Sequence, residues 1–146
     1  MAFRYSLQKI VDLKGNQKTQ AEWMLSEAIG KLREEELALG RLLRERSEQQ
    51  ELLRQAAEAA APVADLRALQ HYIDHLQHLI ERKSEEVSSA QGRVSQCQQV
   101  LMDRTIDEKV WLKSRDRAYQ SFLSLMLKKE QAELDEIASV RRELVR

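Results

Sequence analysis

From Leu66 onward an apolar residue returns at every seventh position, as Leu66, Ile73, Ile80, Val87, Val94 and Leu101. A second series, Leu69, Leu76, Lys83, Ala90 and Cys97, follows three residues behind the first. On an α-helix the two series merge into one narrow seam, which is stable only when buried against another helix. The same chain supplies that helix. Before Pro62, its single proline, Leu25, Ile29, Leu32, Leu39, Leu43, Leu53 and Ala57 recur at helical spacing. Proline lacks an amide hydrogen and disfavours helix in the preceding residue, so Pro62 marks the reversal and suits the first position of a new helix. The predicted fold is all-α, a long two-helix antiparallel coiled-coil hairpin forming one domain over residues 1–146. Helix 1 is expected over about 3–60, the turn over about 61–64 and helix 2 over about 63–145.

A reversal at Pro62 predicts a register. Ile29 is expected to face Val94, Leu25 to face Cys97, Leu43 to face Ile80 and Leu53 to face Leu69. Gly30 falls opposite Gly92, where two backbones can approach closely. Glu36 and Lys83, both polar seam positions, come within about one turn of each other, and such a pair sets register while adding little net stability. An earlier stripe, Phe3, Leu7 and Ile10, is offset by one residue, which points to a stutter near Gly15. The extrapolated seam meets Arg104, Glu108 and Arg115, so the coil is expected to be loose there.

The arms are unequal. Pairing exhausts helix 1 when helix 2 has reached about residue 120, so roughly the last 25 residues are expected to protrude as a single helix. That segment carries Phe122, Leu125, Leu134, Ile137 and Leu144 at helical spacing. An amphipathic helix without an internal mate needs another protein or a second copy of itself.

Composition narrows the function. One third of the chain is charged, yet 24 basic and 24 acidic residues leave a formal net charge of zero with the signs interleaved. The basic face of a nucleic-acid binder is missing. No apolar run approaches the ~20 residues that span a bilayer, and the N-terminus lacks a secretory signal. The single cysteine, Cys97, has no internal disulfide partner, which fits a reducing, cytosolic setting. His71, His75 and His78 share a helix face, and two histidines four apart can chelate zinc; no further ligand completes a tetrahedral set, so they read as solvated outer positions. Cys97 reads as a small seam residue, not a nucleophile. Gly30-Lys31-Leu32 lacks the remaining glycine and hydroxyl of a phosphate loop. No cofactor, metal or catalytic residue is expected.

Tyr72 and Leu79 flank the seam close to the turn and widen it into an apolar patch with Leu69, Ile73, Leu76 and Ile80. Two readings stay open, packing against helix 1 or a surface for a partner. Trp23 and Trp111 lie far from the turn, and each reads either as packing or as a partner contact.

The opening Phe3-Arg4-Tyr5-Ser6-Leu7-Gln8-Lys9-Ile10-Val11-Asp12-Leu13-Lys14 and the late Glu130-Gln131-Ala132-Glu133-Leu134-Asp135-Glu136-Ile137-Ala138 resemble the two end motifs of the FliJ family of flagellar export proteins. Size, paired arms and central break agree along essentially the whole chain. The resemblance implies a non-enzymatic stalk of the flagellar type III export apparatus. It binds the hexameric export ATPase and promotes its assembly and activity, links it to the membrane export gate, and engages export chaperones. It sits in the cytoplasm, peripheral to the membrane. By position, the gate-binding residues are Tyr72, Leu76 and Leu79. The family's aromatic contacts on helix 1 are replaced here by Glu45 and Gln49. The ring-binding residues are Phe3, Leu7, Phe122, Leu125, Leu134, Ile137 and Leu144. Injectisome proteins share this architecture. The alternative is a self-associating scaffold joined through the C-terminal helix.

Overall fold

The computed structural model describes residues 2–145. It contains two long helices packed against each other, α1 (Gln8–Glu58) and α2 (Val63–Val145), with no strand among the described residues. They run for 51 and 83 residues. Only four glycines and one proline occur in the whole chain, so little in it interrupts a helix once started. α2 carries Asp65 in its first turn and Arg142 in its last, both matching the helix dipole.

The junction has defined caps. The amide of Ala61 donates to the carbonyl of Ala56 at 3.0 Å and that of Ala60 to Ala57 at 3.2 Å, the bonding pattern that closes a helix with a left-handed residue. Ala60 is that residue, at φ 55°, a place usually given to glycine because a Cβ is disfavoured there. The carbonyl of Pro62 then accepts the amides of Asp65 (3.0 Å) and Leu66 (3.2 Å), which starts α2 at Val63. The turn thus occupies residues 59–62, and Pro62 stands one position before the helix.

The chain divides into two compact units, Ala21–Leu101 and Met1–Gln20 with Met102–Arg146. In the first, α2 presents the expected seam. Ile73, Leu76, Ile80, Val87, Ala90 and Cys97 are buried, while Leu66, Leu69, Lys83, Val94 and Leu101 are half-buried. On α1 the inward residues keep a strict heptad of their own. Ala21, Ala28 and Glu35 are buried, and Leu42, Gln49 and Ala56 continue the same seven-residue stride half-buried. Leu25, Leu32, Leu39, Arg46 and Leu53 form its companion series, also half-buried.

Leu43 and Ala57, expected on the seam, are exposed, and Ile29 is only half-buried beside the buried Ala28. The large side chains at 29 and 43 stand one residue past the heptad that alanine and Leu42 keep. The seam carboxylate on α1 that meets Lys83 is Glu35, not Glu36, which is exposed. Nor do the backbones close up at Gly30 and Gly92. A Cβ at either glycine would meet nothing within 4 Å.

In the terminal unit α1 begins at Gln8, so Phe3 precedes the helix and does not continue its stripe. Val11 is buried. α1 passes unbroken through Gly15, and the close approach there is to a side chain. A Cβ on Gly15 would lie 3.1 Å from Oε2 of Glu108. Lys14 pairs with Asp107 at 2.7 Å, and Lys18 reaches Glu108 at 3.4 Å. Glu108 and Arg115 are half-buried and Arg104 is exposed. From residue 127 to 145 every residue of α2 is exposed.

Candidate functional site

Near the turn, the 3.6-residue repeat of α2 sorts the expected patch into two layers. Ile73, Leu76 and Ile80 face inward, and Leu76 is the most enclosed large side chain, 2 % exposed. Leu69 is half-buried. Leu76 is therefore core and presents nothing to a partner. Tyr72, at 40 % exposure, and the half-buried Leu79 form the outer edge.

Tyr72 is held by α1. Its hydroxyl donates to the carboxylate of Glu45, and that acceptor, aided by desolvation, raises the phenol above its ordinary pKa. Arg46 Nη1 donates to Gln77 Oε1 at 2.6 Å one turn further along α2. Glu45, the polar residue expected to replace an aromatic contact on α1, instead fixes the direction of the tyrosine ring.

Deeper in the same unit lies a charged node. Lys83 Nζ is 2.9 Å from Glu35 Oε2 and 2.6 Å from Glu86 Oε2, while Lys31 Nζ is 2.9 Å from Glu35 Oε1. Lys83 first, then Lys31, holds the Glu35 carboxyl down at about 2. Glu86 and Glu35 raise Lys83 in return. The node ties one point on α1 to one point on α2, and a charge pair among apolar layers tolerates no slip by a heptad. It acts as a register pin at the floor of an open groove lined by Lys31, Glu35, Arg82, Glu85, Glu86, Ser89 and Ala90.

In the terminal unit the ring of Phe3 packs edge-on to Tyr119 with centroids 5.1 Å apart and tilts against Phe122 at 5.4 Å. Tyr5 and Ser114 share a hydrogen bond of 2.8 Å between their hydroxyls. Phe3, Arg4, Tyr5 and Gln8 line a cavity there with Arg115, Asp116 and Tyr119. Two of the residues proposed for the ring, Phe3 and Phe122, thus engage each other. Leu7 is 39 % exposed, and Leu125, Leu134, Ile137 and Leu144 are all more than half exposed. Those four stand clear of any packing.

His71, His75 and His78 are exposed on α2. Among the described residues no three His, Cys, Asp or Glu side chains converge as metal ligands. Cys97 is free and buried. Trp111 is half-buried, whereas Trp23 is 74 % exposed. No helix among the described residues is long and apolar enough to cross a membrane. Periodicity did not single out Tyr119, Ser114 or Gln77, because partners off the seam leave no repeat. Glu35 continues the seven-residue stride of Ala21 and Ala28, but small and charged residues give that stride no apolar signal.

Comparison with known proteins follows the same outline. The family described as Flagellar FliJ protein matches residues 3–142. The Flagellar FliJ protein of Bacillus subtilis (strain 168) is 28% identical over 142 residues, 94% of this chain and 94% of its own length. Among solved structures, a protein of Chlamydia trachomatis described as a YscO homolog superposes with a TM-score of 0.60 at 17% identity, covering 98% of this chain and 97% of that one. At that identity the likeness speaks for the fold alone.

Proposed function

Because the chain belongs to the FliJ family, a non-catalytic component of the flagellar export apparatus, we propose that it is the coiled-coil stalk of that machine. Acting as one coiled-coil domain, it binds the hexameric export ATPase and favours its assembly and turnover. It connects the ring to the membrane export gate and engages export chaperones, working at the cytoplasmic face of the membrane.

The observation that carries the reading is the uncovered end of α2. Residues 127–145 are exposed throughout, yet Leu134, Ile137 and Leu144 repeat at helical spacing as if one face were meant to be buried. A ring of subunits offers grooves for such a face, and the exposed Leu7 and Leu125 are assigned to further contacts with the ring. Binding changes hydrolysis by favouring particular conformations of the ring, so the stalk itself needs no chemistry. The gate contact is assigned to Tyr72 and Leu79, the outer edge near the turn, with Leu76 beneath them as support.

Mixing the full chain with the partner ATPase tests the ring contact. Saturating stalk is expected to raise both hexamer content and turnover, and Leu134→Asp with Ile137→Asp to abolish the rise while leaving helicity unchanged. Unaltered hexamer content and turnover with the wild-type chain would refute the contact.

A further inference from the structure

The exposed end of α2 has a seam of its own. Leu127, Leu134 and Arg141 stand seven residues apart, and Leu123, Glu130, Ile137 and Leu144 interleave with them at alternating spacings of three and four. That is a coiled-coil stripe. Its apolar members are far from covered, Leu127 at 66 %, Leu134 at 60 %, Ile137 at 63 % and Leu144 at 81 % exposure. Between Leu127 and Leu144 only two members are charged, and their signs are opposite: Glu130 and Arg141.

We propose that a second copy of this chain covers the stripe, the two segments running antiparallel so that Leu134 of each faces Ile137 of the other. Alternate seam positions face each other in an antiparallel pair, so this single alignment sets every layer. Leu127 then meets Leu144 of the second copy, and Glu130 meets its Arg141. Twofold symmetry repeats each contact, and the two ion pairs bracket the apolar centre. Both charged residues of the seam are thereby matched by the same alignment that matches the leucines.

The competing arrangements fail on charge. A parallel, in-register pair sets Glu130 against Glu130 and Arg141 against Arg141. An antiparallel pair slipped by one heptad breaks both ion pairs. One slip sets Glu130 against Leu134 and Arg141 against Leu123, and the other sets Arg141 against Ile137 and carries Glu130 past the stripe. Repulsion and unpaired charge thus disfavour the alternatives, while the proposed alignment matches every seam position from Leu127 to Leu144, which is how a short coiled coil achieves a single geometry. The dimer stands independently of the ring contact, although it covers the same residues and the two states exclude each other.

Sedimentation of the full chain over a wide concentration range tests the dimer. The wild-type chain is expected to dimerise as concentration rises. Arg141→Glu alone, or Glu130→Arg alone, places like charges in both symmetric layers and is expected to weaken association on the order of a hundredfold. The double exchange, Glu130→Arg with Arg141→Glu, is expected to restore it, a rescue that a general loss of structure does not give. Both residues are exposed within the chain, so circular dichroism should show equal helicity in all four proteins. A chain monomeric at every concentration, meaning that the stripe serves some other protein, would overturn the proposal. So would single exchanges without effect, or a double exchange no better than the singles.

Discussion

Between Ala21 and Leu101 the heptad of α2 places Ile73, Leu76, Ile80 and Val87 inside, and the one charged position, Lys83, is met by Glu35. Carried on beyond Leu101, the same stride lands on Glu108, Arg115 and Phe122. The terminal unit accordingly adds partly exposed polar pairs to a thin apolar interior of Val11, Ile10, Leu112 and Phe122. Lys14 joins Asp107, Lys18 joins Glu108 and Tyr5 joins Ser114, with an aromatic cluster around Phe3. Apolar layers gain stability from area alone and tolerate little rearrangement, whereas half-exposed ion pairs contribute little net free energy. The first unit is built to hold two helices in one register. The second relies more on partly exposed polar pairs, each of which contributes little net free energy.

The largest effect expected from this contrast is at Leu76. Leu76→Ala removes the most enclosed large side chain and is expected to cost about 3 kcal/mol in denaturant unfolding. Val11→Ala, the deepest apolar truncation in the terminal unit, is expected to cost about 2 kcal/mol or less, since fewer buried methyl groups are lost. Equal losses would erase the distinction between the units.

A second difference is in acid. Glu35 has its carboxyl at about 2 in the folded chain against an ordinary 4.5. A depressed carboxylate adds stability that is fully present above the unfolded value and is lost as pH falls through the folded one. The thermal midpoint of the wild-type chain is therefore expected to fall between pH 4.5 and pH 2. Glu35→Gln should flatten that part of the profile and lower the midpoint at neutral pH. An unchanged acid slope in Glu35→Gln would show that the node is not what pins the register.

How much of this was legible beforehand depended on which physical rule each feature obeys. The seam on α2 was readable residue by residue from Leu66 to Leu101, because large aliphatic side chains mark nearly every inward position. On α1 the inward series begins with Ala21, Ala28 and Glu35, and neither alanine nor glutamate looks like core. Leu43 and Ile29, larger and more apolar, drew the seam one residue aside. The same bias toward size misplaced the charge pair from Glu35 to Glu36. Reading Phe3 as the start of the α1 stripe failed for another reason. Its ring satisfies Tyr119 and Phe122, contacts more than a hundred residues distant that no local repeat reports. Near the turn the pattern showed the apolar patch but not its layering. Leu76 and Tyr72 differ in role because the turn of the helix points one inward and the other along its edge.

The smallest expected effect belongs to the terminal unit and tests whether its pairs matter at all. Tyr5 precedes α1, and its carbonyl accepts the amide of Gln8 at 3.1 Å while its hydroxyl meets Ser114 Oγ at 2.8 Å on α2. Tyr5→Phe keeps the ring and removes only the hydroxyl, so no cavity is opened, and a partly buried neutral hydrogen bond is worth about 0.5–1 kcal/mol. The loss should stay local. Amide hydrogen exchange is expected to quicken in the first turns of α1, by roughly two- to fivefold for that change in opening free energy, while the amides around Leu76 keep their rates. Faster exchange at both ends would mean that the two units open together, and the contrast drawn from their seams would then describe composition without describing stability.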